Sequence, residues 1–346
     1  MRLPIRSLAP VAATAALVLA GCGGASDEVG GSGDAAASDG AGARLSLVAY
    51  AVPKTGFDKE IPAFQKTDAG KGVTFAQSYG PSGDQSRAVE SGQDADVVNF
   101  SLEPDVTRLV DAGLVDPSWN QNRFKGIVSS SVVTIVVRKG NPKGIRDWDD
   151  LLKPGVEVVT PNPFSSGSAK WNLLAPYADK SQGGKDQAAG LKYVGALLKH
   201  VKTQPKSGRE ATQTFLQGKA DALLSYENEA INIERQGEAV EHVTPPHTLR
   251  IENPFAVLKT SKHPEQAKAF SDFLFSAAGQ KIWGEAGFRP VDPEAAKAFA
   301  SDFPQPEKLY TVAELGGWKR LNDGLFEPDE GEIAKLYEAA GAASSR

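Results

Sequence analysis

Residues Ser130-Ser131-Val132-Val133-Thr134-Ile135-Val136-Val137-Arg138-Lys139, closed by Gly140-Asn141-Pro142, decide how the rest of the chain is divided. The run is extended and apolar, rich in the β-branched residues that suit a buried strand, and it stops at residues that build turns. A second run of the same kind, residues 252–260, is opened by Asn253-Pro254. If both runs cross between two lobes, residues 45–132 plus 253–346 form lobe 1 and residues 133–252 form lobe 2. A ligand then sits in the cleft between them. The alternative is two further strands in one sheet, and periodicity alone does not separate the readings.

Outward from these runs, β-rich stretches alternate with helical ones. Residues 45–50, 73–76, 96–100, 156–160, 222–226 and 239–243 read as strands. Residues 84–90, 104–112, 186–200, 264–277 and 280–286 carry the helical period, with Leu191, Val194, Leu197, Leu198 and Val201 on one apolar face. The alternation predicts an α/β fold with mainly parallel sheets covered on both sides by helices.

At the N-terminus, Arg2 and Arg6 precede an apolar run over 8–20 that is too short to span a bilayer and has the form of a secretory signal. The mature chain is therefore expected outside the cytoplasm. The run ends in Leu19-Ala20-Gly21-Cys22, which resembles the bacterial lipobox. Residues 1–22 then form a lipoprotein signal, cleaved to leave an acylated Cys22 that ties the chain to the outer face of the cell membrane. The alternative for Cys22, the only cysteine, is an ordinary buried thiol. With Cys22 acylated no disulfide forms, and the core alone must hold the fold. Residues 23–44, mostly Gly, Ala, Ser and Asp, read as a flexible tether.

A formal net charge of −5 and the absence of any basic stretch give no electrostatic footprint for nucleic acid. An acidic total still permits an anionic ligand, because backbone dipoles act locally. Three small-residue turns each precede a helical pattern: Tyr79-Gly80-Pro81-Ser82-Gly83, Phe164-Ser165-Ser166-Gly167-Ser168 and Ser207-Gly208-Arg209. A helix start carries unpaired N–H groups and partial positive charge, glycine admits close approach, and serine adds a hydroxyl. Taken singly, each turn is equally an ordinary N-cap. A dianion in a closed cleft needs several such seats to converge, since its lost hydration is worth tens of kcal/mol in a Born estimate.

Ser78-Tyr79-Gly80-Pro81-Ser82-Gly83, Val137-Arg138-Lys139-Gly140-Asn141-Pro142-Lys143, Asp147-Trp148-Asp149-Asp150-Leu151, Thr160-Pro161-Asn162-Pro163, Ser165-Ser166-Gly167, Trp171-Asn172 and Tyr226-Glu227-Asn228-Glu229-Ala230 stand in one order. Together with Phe288-Arg289-Pro290 and Gly316-Gly317-Trp318, they resemble the sulfate- and thiosulfate-binding receptors of ABC importers. The resemblance implies a two-lobed venus-flytrap of the type II periplasmic-binding-protein class, with mixed sheets, two crossover strands and an unprotonated sulfate between the lobes. It implies no catalysis and no cofactor, with an importer permease as the partner of a monomeric receptor. Residue by residue, it places Ser82 with Gly83 on the first lobe and Ser166, Gly167 and Ser168 on the second. Ser168 stands where the family usually has a second glycine. The third seat falls on Gly208 or Arg209, where the family pattern has one more small residue. Tyr226 stands where the family often has a tryptophan donating its indole N–H. On the residues alone, Tyr226 is equally a core aromatic.

Asp84 beside the first seat would repel a dianion, with Arg87 one turn on to neutralise it; turned into the cleft, Asp84 would instead suit phosphate, which carries a proton. His200, His242, His247 and His263 lack metal-site spacing, and no metal is expected. The alternatives are the same receptor fold selective for thiosulfate, molybdate or phosphate and, from another class, a secreted hydrolase of phosphate or sulfate esters using one Ser-Gly turn. No G-x-S-x-G elbow accompanies it, and no phosphate-binding G-x-x-x-x-G-K-[ST] loop occurs.

Overall fold

The computed structural model describes residues 42–341; the leader, Cys22 and the tether up to residue 41 lie outside the described residues. The chain opens with β1 (Arg44–Tyr50), α1 (Lys54–Phe64), β2 (Thr74–Gly80), α2 (Ser82–Glu90), β3 (Val97–Asn99) and α3 (Glu103–Asp111). The long β4 (Ile127–Arg138) follows, then β5 (Val158–Val159), α4 (Gly167–Lys180), α5 (Gln187–Leu198) and β6 (Val201–Thr203). Next come α6 (Gly208–Leu216), β7 (Ala222–Tyr226), α7 (Glu227–Arg235), β8 (Val240–Val243) and β9 (His247–Val257). The chain closes with α8 (Pro264–Phe275), α9 (Ala277–Glu285), α10 (Pro293–Ala298), β10 (Lys308–Tyr310), α11 (Gly317–Leu321) and α12 (Glu332–Ala339).

The strands form one path, β2-β1-β3-β9-β4-β7-β5-β6, with β8 added to β4 and β10 to β9. β1 pairs in parallel with β2 and β3, and β5 pairs in parallel with β6 and β7. Between these two sets run β4 and β9, antiparallel to each other over Ile127–Val132 and Arg250–Pro254. β9 continues into β3 at one end, and β4 continues into β7 and β8 at the other. The two alternatives for the long runs therefore coincide: each is a strand of the sheet path, and each links the two sets. The sheet is mixed rather than mainly parallel because β4 and β9 return antiparallel to their neighbours.

β4 is buried from Val128 to Val137, as befits a strand covered on both faces. It ends where Gly140 and Asn141 take positive φ of 78° and 43°, and Asn141 fixes the turn by bonding both the N–H and the C=O of Ile145. Arg289, bridged to Ser130 of β4, forms a buried bidentate bond to Glu227 at the start of α7, with N···O distances of 2.7 and 2.8 Å.

The C-terminal stretch behaves differently from its grouping with lobe 1. α12 packs on α5, Tyr337 meets Phe164 edge-on at 5.5 Å, and Trp318 meets Trp171 at 4.8 Å. The apolar faces of α4 and α5, which belong to the middle segment, need this cover.

Candidate functional site

In each parallel set the strands deliver their carboxyl ends, and the helices that follow them, to the same edge. α/β sheets bind ligands at such edges. The first set contributes the turns after β1, β2 and β3, and the second those after β5, β6 and β7. The two groups meet. Ser101, after β3, hydrogen-bonds through Oγ to Tyr226 Oη at 2.7 Å, and its carbonyl accepts Trp171 Nε1–H at 2.9 Å. A methyl at Gly167 would lie 2.7 Å from Ser101 Oγ and 2.9 Å from Leu102 Cγ. One at Gly208 would lie 3.0 Å from Ser168 Oγ and 3.3 Å from Val52 Cγ2. One at Gly83 would lie 3.5 Å from the Ser165 carbonyl oxygen. The turns around Ser82, Ser166 and Gly208, chosen from sequence as separate seats, thus face one another.

The helix starts differ in what they leave free. At α6, the Ser207 hydroxyl accepts Glu210 N–H at 3.2 Å, an ordinary cap. At α2 and α4 the N-cap residues, Pro81 and Ser166, make no side-chain capping bond. The N–H groups of Ser82 and Gly83, and of Gly167 and Ser168, have no intrahelical acceptor by geometry, whereas that of Ala169 reaches the Ser166 carbonyl at 3.2 Å. Ser82, Ser166 and Ser168 are buried, at 3%, 2% and 5% exposure. The site is closed around small polar groups and backbone.

Ser82 has a more constrained hydroxyl than its sequence suggests. It donates to Asp105 Oδ2 at 2.6 Å and accepts Ser101 N–H at 2.9 Å. Its proton is taken, so its own backbone N–H and that of Gly83 are the groups left for a ligand. Burial pushes the Asp105 carboxyl above the usual carboxylate range, while the bond from Ser82 and the cations Lys170, Arg108 and Arg87 pull the other way. Asp84, by contrast, is half-exposed and paired with Arg87.

Tyr226, the N-cap of α7, is 1% exposed. Burial drives its phenol well above the usual tyrosine range, so it is a neutral donor; Ser168 and Asn253 are within reach along with Ser101. Tyr50 packs its ring 6.4 Å from that of Tyr226, and its hydroxyl has no protein partner. The Arg209 side chain pairs with Glu229, with Nε 3.3 Å from Oε1, an ion-pair distance without hydrogen-bond alignment. Burial raises the Glu229 carboxyl and Arg209 offsets part of that.

Sequence reading singled out Ser82, Gly83, Ser166, Gly167, Ser168, Gly208, Arg209 and Tyr226; the turns that carry them lie against one another, with the Arg209 side chain paired to Glu229. It missed Ser101, Asp105 and Asn253. A signal for Ser101 existed, because Ser101-Leu102-Glu103-Pro104 stands between a strand and a helix with proline near its start. It lacks the glycine that marks the other turns. The histidines are dispersed: His200 pairs with the Val156 carbonyl, His242 with Glu234 and His247 with Asp179. Among the described residues no cluster of histidine and carboxylate side chains could hold a metal ion.

Two parallel sets whose small-residue turns meet edge to edge give an architecture suited to holding a small solute between them. Residues 45–289 match the family model described as bacterial extracellular solute-binding protein, and the chain belongs to that family. The structure is similar to that of the sulfate-binding protein SubI from Mycobacterium tuberculosis, with 58% identity and a TM-score of 0.80 over 81% of this chain and 98% of that one. In sequence it is 39% identical to the sulfate-binding protein of Synechococcus elongatus, covering 96% of this chain and 95% of the relative. It is 34% identical to the thiosulfate-binding protein of Pseudomonas aeruginosa, over 85% and 92% of the respective chains.

Proposed function

We propose that this chain is a non-catalytic receptor outside the cytoplasm that captures sulfate between two lobes and delivers it to the permease of an ABC importer. The observation that carries the reading is the meeting of uncapped helix starts at Ser82 and Gly167 with the neutral phenol of Tyr226, all at buried residues. Its ligand is an acceptor-only oxyanion. About six charge-assisted bonds at roughly 1.5 to 3 kcal/mol each exceed the roughly 8 kcal/mol of micromolar binding even after association costs. The similarity to sulfate-binding proteins of Synechococcus and Mycobacterium favours sulfate, and the thiosulfate-binding relative from Pseudomonas makes thiosulfate the second reading.

In this reading lobe 1 is 45–132 with the chain from 253 to about β10, and lobe 2 is 133–252 covered by the C-terminal helices. Cys22 carries acyl chains that hold the receptor, a monomer, at the membrane through the tether. Calorimetry of the purified chain against sulfate, thiosulfate, molybdate and phosphate tests the ligand: sulfate is expected to bind at micromolar Kd or tighter, and heat only from phosphate would reject the reading. Turnover of a sulfate or phosphate ester would favour the hydrolase. Metabolic labelling with a fatty acid that is lost in Cys22→Ser tests the anchor.

A further inference from the structure

The first turn of α7 lines the pocket, but its later turns make a second contact zone. Asn232 Nδ2 donates to the Ala286 carbonyl at 3.0 Å and reaches Thr55 Oγ1 at 3.4 Å, besides bonding the Asn228 carbonyl of its own helix at 2.8 Å. Arg235 Nη1 donates to the Glu285 carbonyl at 2.9 Å. Glu285 and Ala286 are the last residue and C-cap of α9, and Thr55 lies in the first turn of α1. The carboxyl end of a helix has carbonyls without intrahelical donors and carries partial negative charge. Here a donor and a guanidinium from α7 meet that end. Just beyond, Gly287 holds φ of +90°, and a methyl there would stand 3.4 Å from Ile231 Cγ2 and 3.5 Å from the Asn228 carbonyl oxygen. The zone is thus close-fitting and depends on glycine at this turn.

On the two-lobe reading, on which this rests, α7 belongs to lobe 2, and α1 and α9 belong to lobe 1. We infer that Asn232 and Arg235 form an interlobe latch that determines how long the anion is held, without touching the anion. The bonds exist only when the lobes meet, so they favour the closed state and multiply the affinity of every anion that the pocket accepts by one common factor. Asn232 carries most of the effect, since Arg235 is exposed and its bond competes with water. These are positioning residues, and the pocket's preference among anions is left to the donors around Ser82, Gly167 and Tyr226.

The test is stopped-flow and calorimetric measurement of sulfate and thiosulfate binding to the full chain bearing Asn232→Ala, Asn232→Asp or Arg235→Ala. Asn232→Ala is expected to weaken both anions about 5- to 10-fold, with the change in koff and with the sulfate-to-thiosulfate ratio kept. Asn232→Asp, which sets an acceptor against acceptors, should weaken them more, and Arg235→Ala about 2- to 3-fold. Melting of the anion-free protein should be unchanged, because the open form lacks these bonds. Equal koff in all variants, a changed anion ratio, or an equal loss of anion-free stability would each overturn the latch. A wild-type chain that binds neither anion would overturn the ligand reading instead, and the latch's role in it.

Discussion

Replacing Gly167 with alanine adds one methyl at the point where the two groups of turns touch. That methyl would stand 2.7 Å from Ser101 Oγ, 2.8 Å from Ser101 Cβ and 2.9 Å from Leu102 Cγ, against about 3.5 to 4 Å for comfortable carbon contacts. Ser101 has little room to retreat. Its N–H is given to Ser82 Oγ, its carbonyl accepts from Trp171 and its hydroxyl is bonded to Tyr226. Overpacking of this kind costs about 1 to 3 kcal/mol, which converts to a Kd about 5- to 150-fold weaker. If the lobes part when the anion leaves, as proposed, the collision goes with them, and alanine in a helix is favoured over glycine, so the anion-free protein should melt at the same temperature or higher. Calorimetry with sulfate beside thermal melts without it separates the two effects. Gly208→Ala, with a methyl 3.0 Å from Ser168 Oγ, should weaken binding less. Gly83→Ala should do least, because its nearest neighbour, Arg87 Nη1 at 3.1 Å, is the end of a flexible side chain. Sulfate affinity within twofold of wild type in Gly167→Ala would refute the reasoning, and so would a loss of affinity matched by a fall in anion-free melting temperature.

Ser166→Asp keeps a good N-cap but sets a charge about 5 Å from a dianion, a repulsion of roughly 7 kcal/mol at an effective dielectric near 20, so sulfate binding should vanish from calorimetry while the melt holds. Tyr226→Phe removes the bond to Ser101 and should weaken sulfate about fivefold, with the loss read as a faster koff. Glu60 is fully buried beside α9 with no partner for either oxygen, and burial, reinforced by Glu285, pushes its carboxyl up to about 10. With the folded value above the unfolded one, stability is full below about pH 4.5 and falls as pH rises towards 10. Denaturant titrations should therefore show wild type losing up to about 4 kcal/mol between pH 5 and 8, and Glu60→Gln losing much less; parallel curves would dismiss the buried charge.

The linking strands and the helix starts were readable because each is written in local chemistry: β-branched runs for β4, and Ser-Gly turns for α2, α4 and α6. α1 was hidden by Gly56 and Pro62 within its span. Gly56 is there for a distant reason, since a methyl on it would fall 2.3 Å from the Trp283 ring. β6 and β10 have three residues each, too few to show a period. The first half of β9 alternates Leu249, Ile251 and Asn253 inward with Arg250 exposed, and a charged residue in each repeat masks the strand. The C-terminal helices pack on α4 and α5 through contacts such as Phe164 with Tyr337, which no local pattern encodes. Ser101 escaped notice for the same reason: its importance lies in partners 19, 70 and 125 residues away.

The placement of carboxylates bears on which tetrahedral anion suits this pocket. Phosphate near neutral pH keeps a proton and needs an acceptor, and Asp84 was the residue that sequence suggested for it. Asp84 is instead half-exposed and bound to Arg87, so its charge is balanced outside the pocket. Asp105 does reach the wall, and it is filled by the Ser82 hydroxyl. Ser82 in turn uses a lone pair on Ser101 N–H, which fixes both serines rather than offering a free acceptor. The backbone N–H groups of Ser82, Gly83, Gly167 and Ser168 and the phenol of Tyr226 are the donors on offer, while Glu229, buried near Tyr50 with no hydrogen-bond partner, has its carboxyl raised by burial. A protonated oxyanion would bury a donor against donors, at a cost of about 1 to 3 kcal/mol for the unmade bond, whereas sulfate has only acceptors to present. On this geometry Asp105→Asn, which turns the acceptor behind Ser82 into a mixed donor and acceptor and lets Ser82 rotate, should weaken sulfate and narrow the gap to phosphate. An unchanged gap would mean that discrimination resides elsewhere in the pocket.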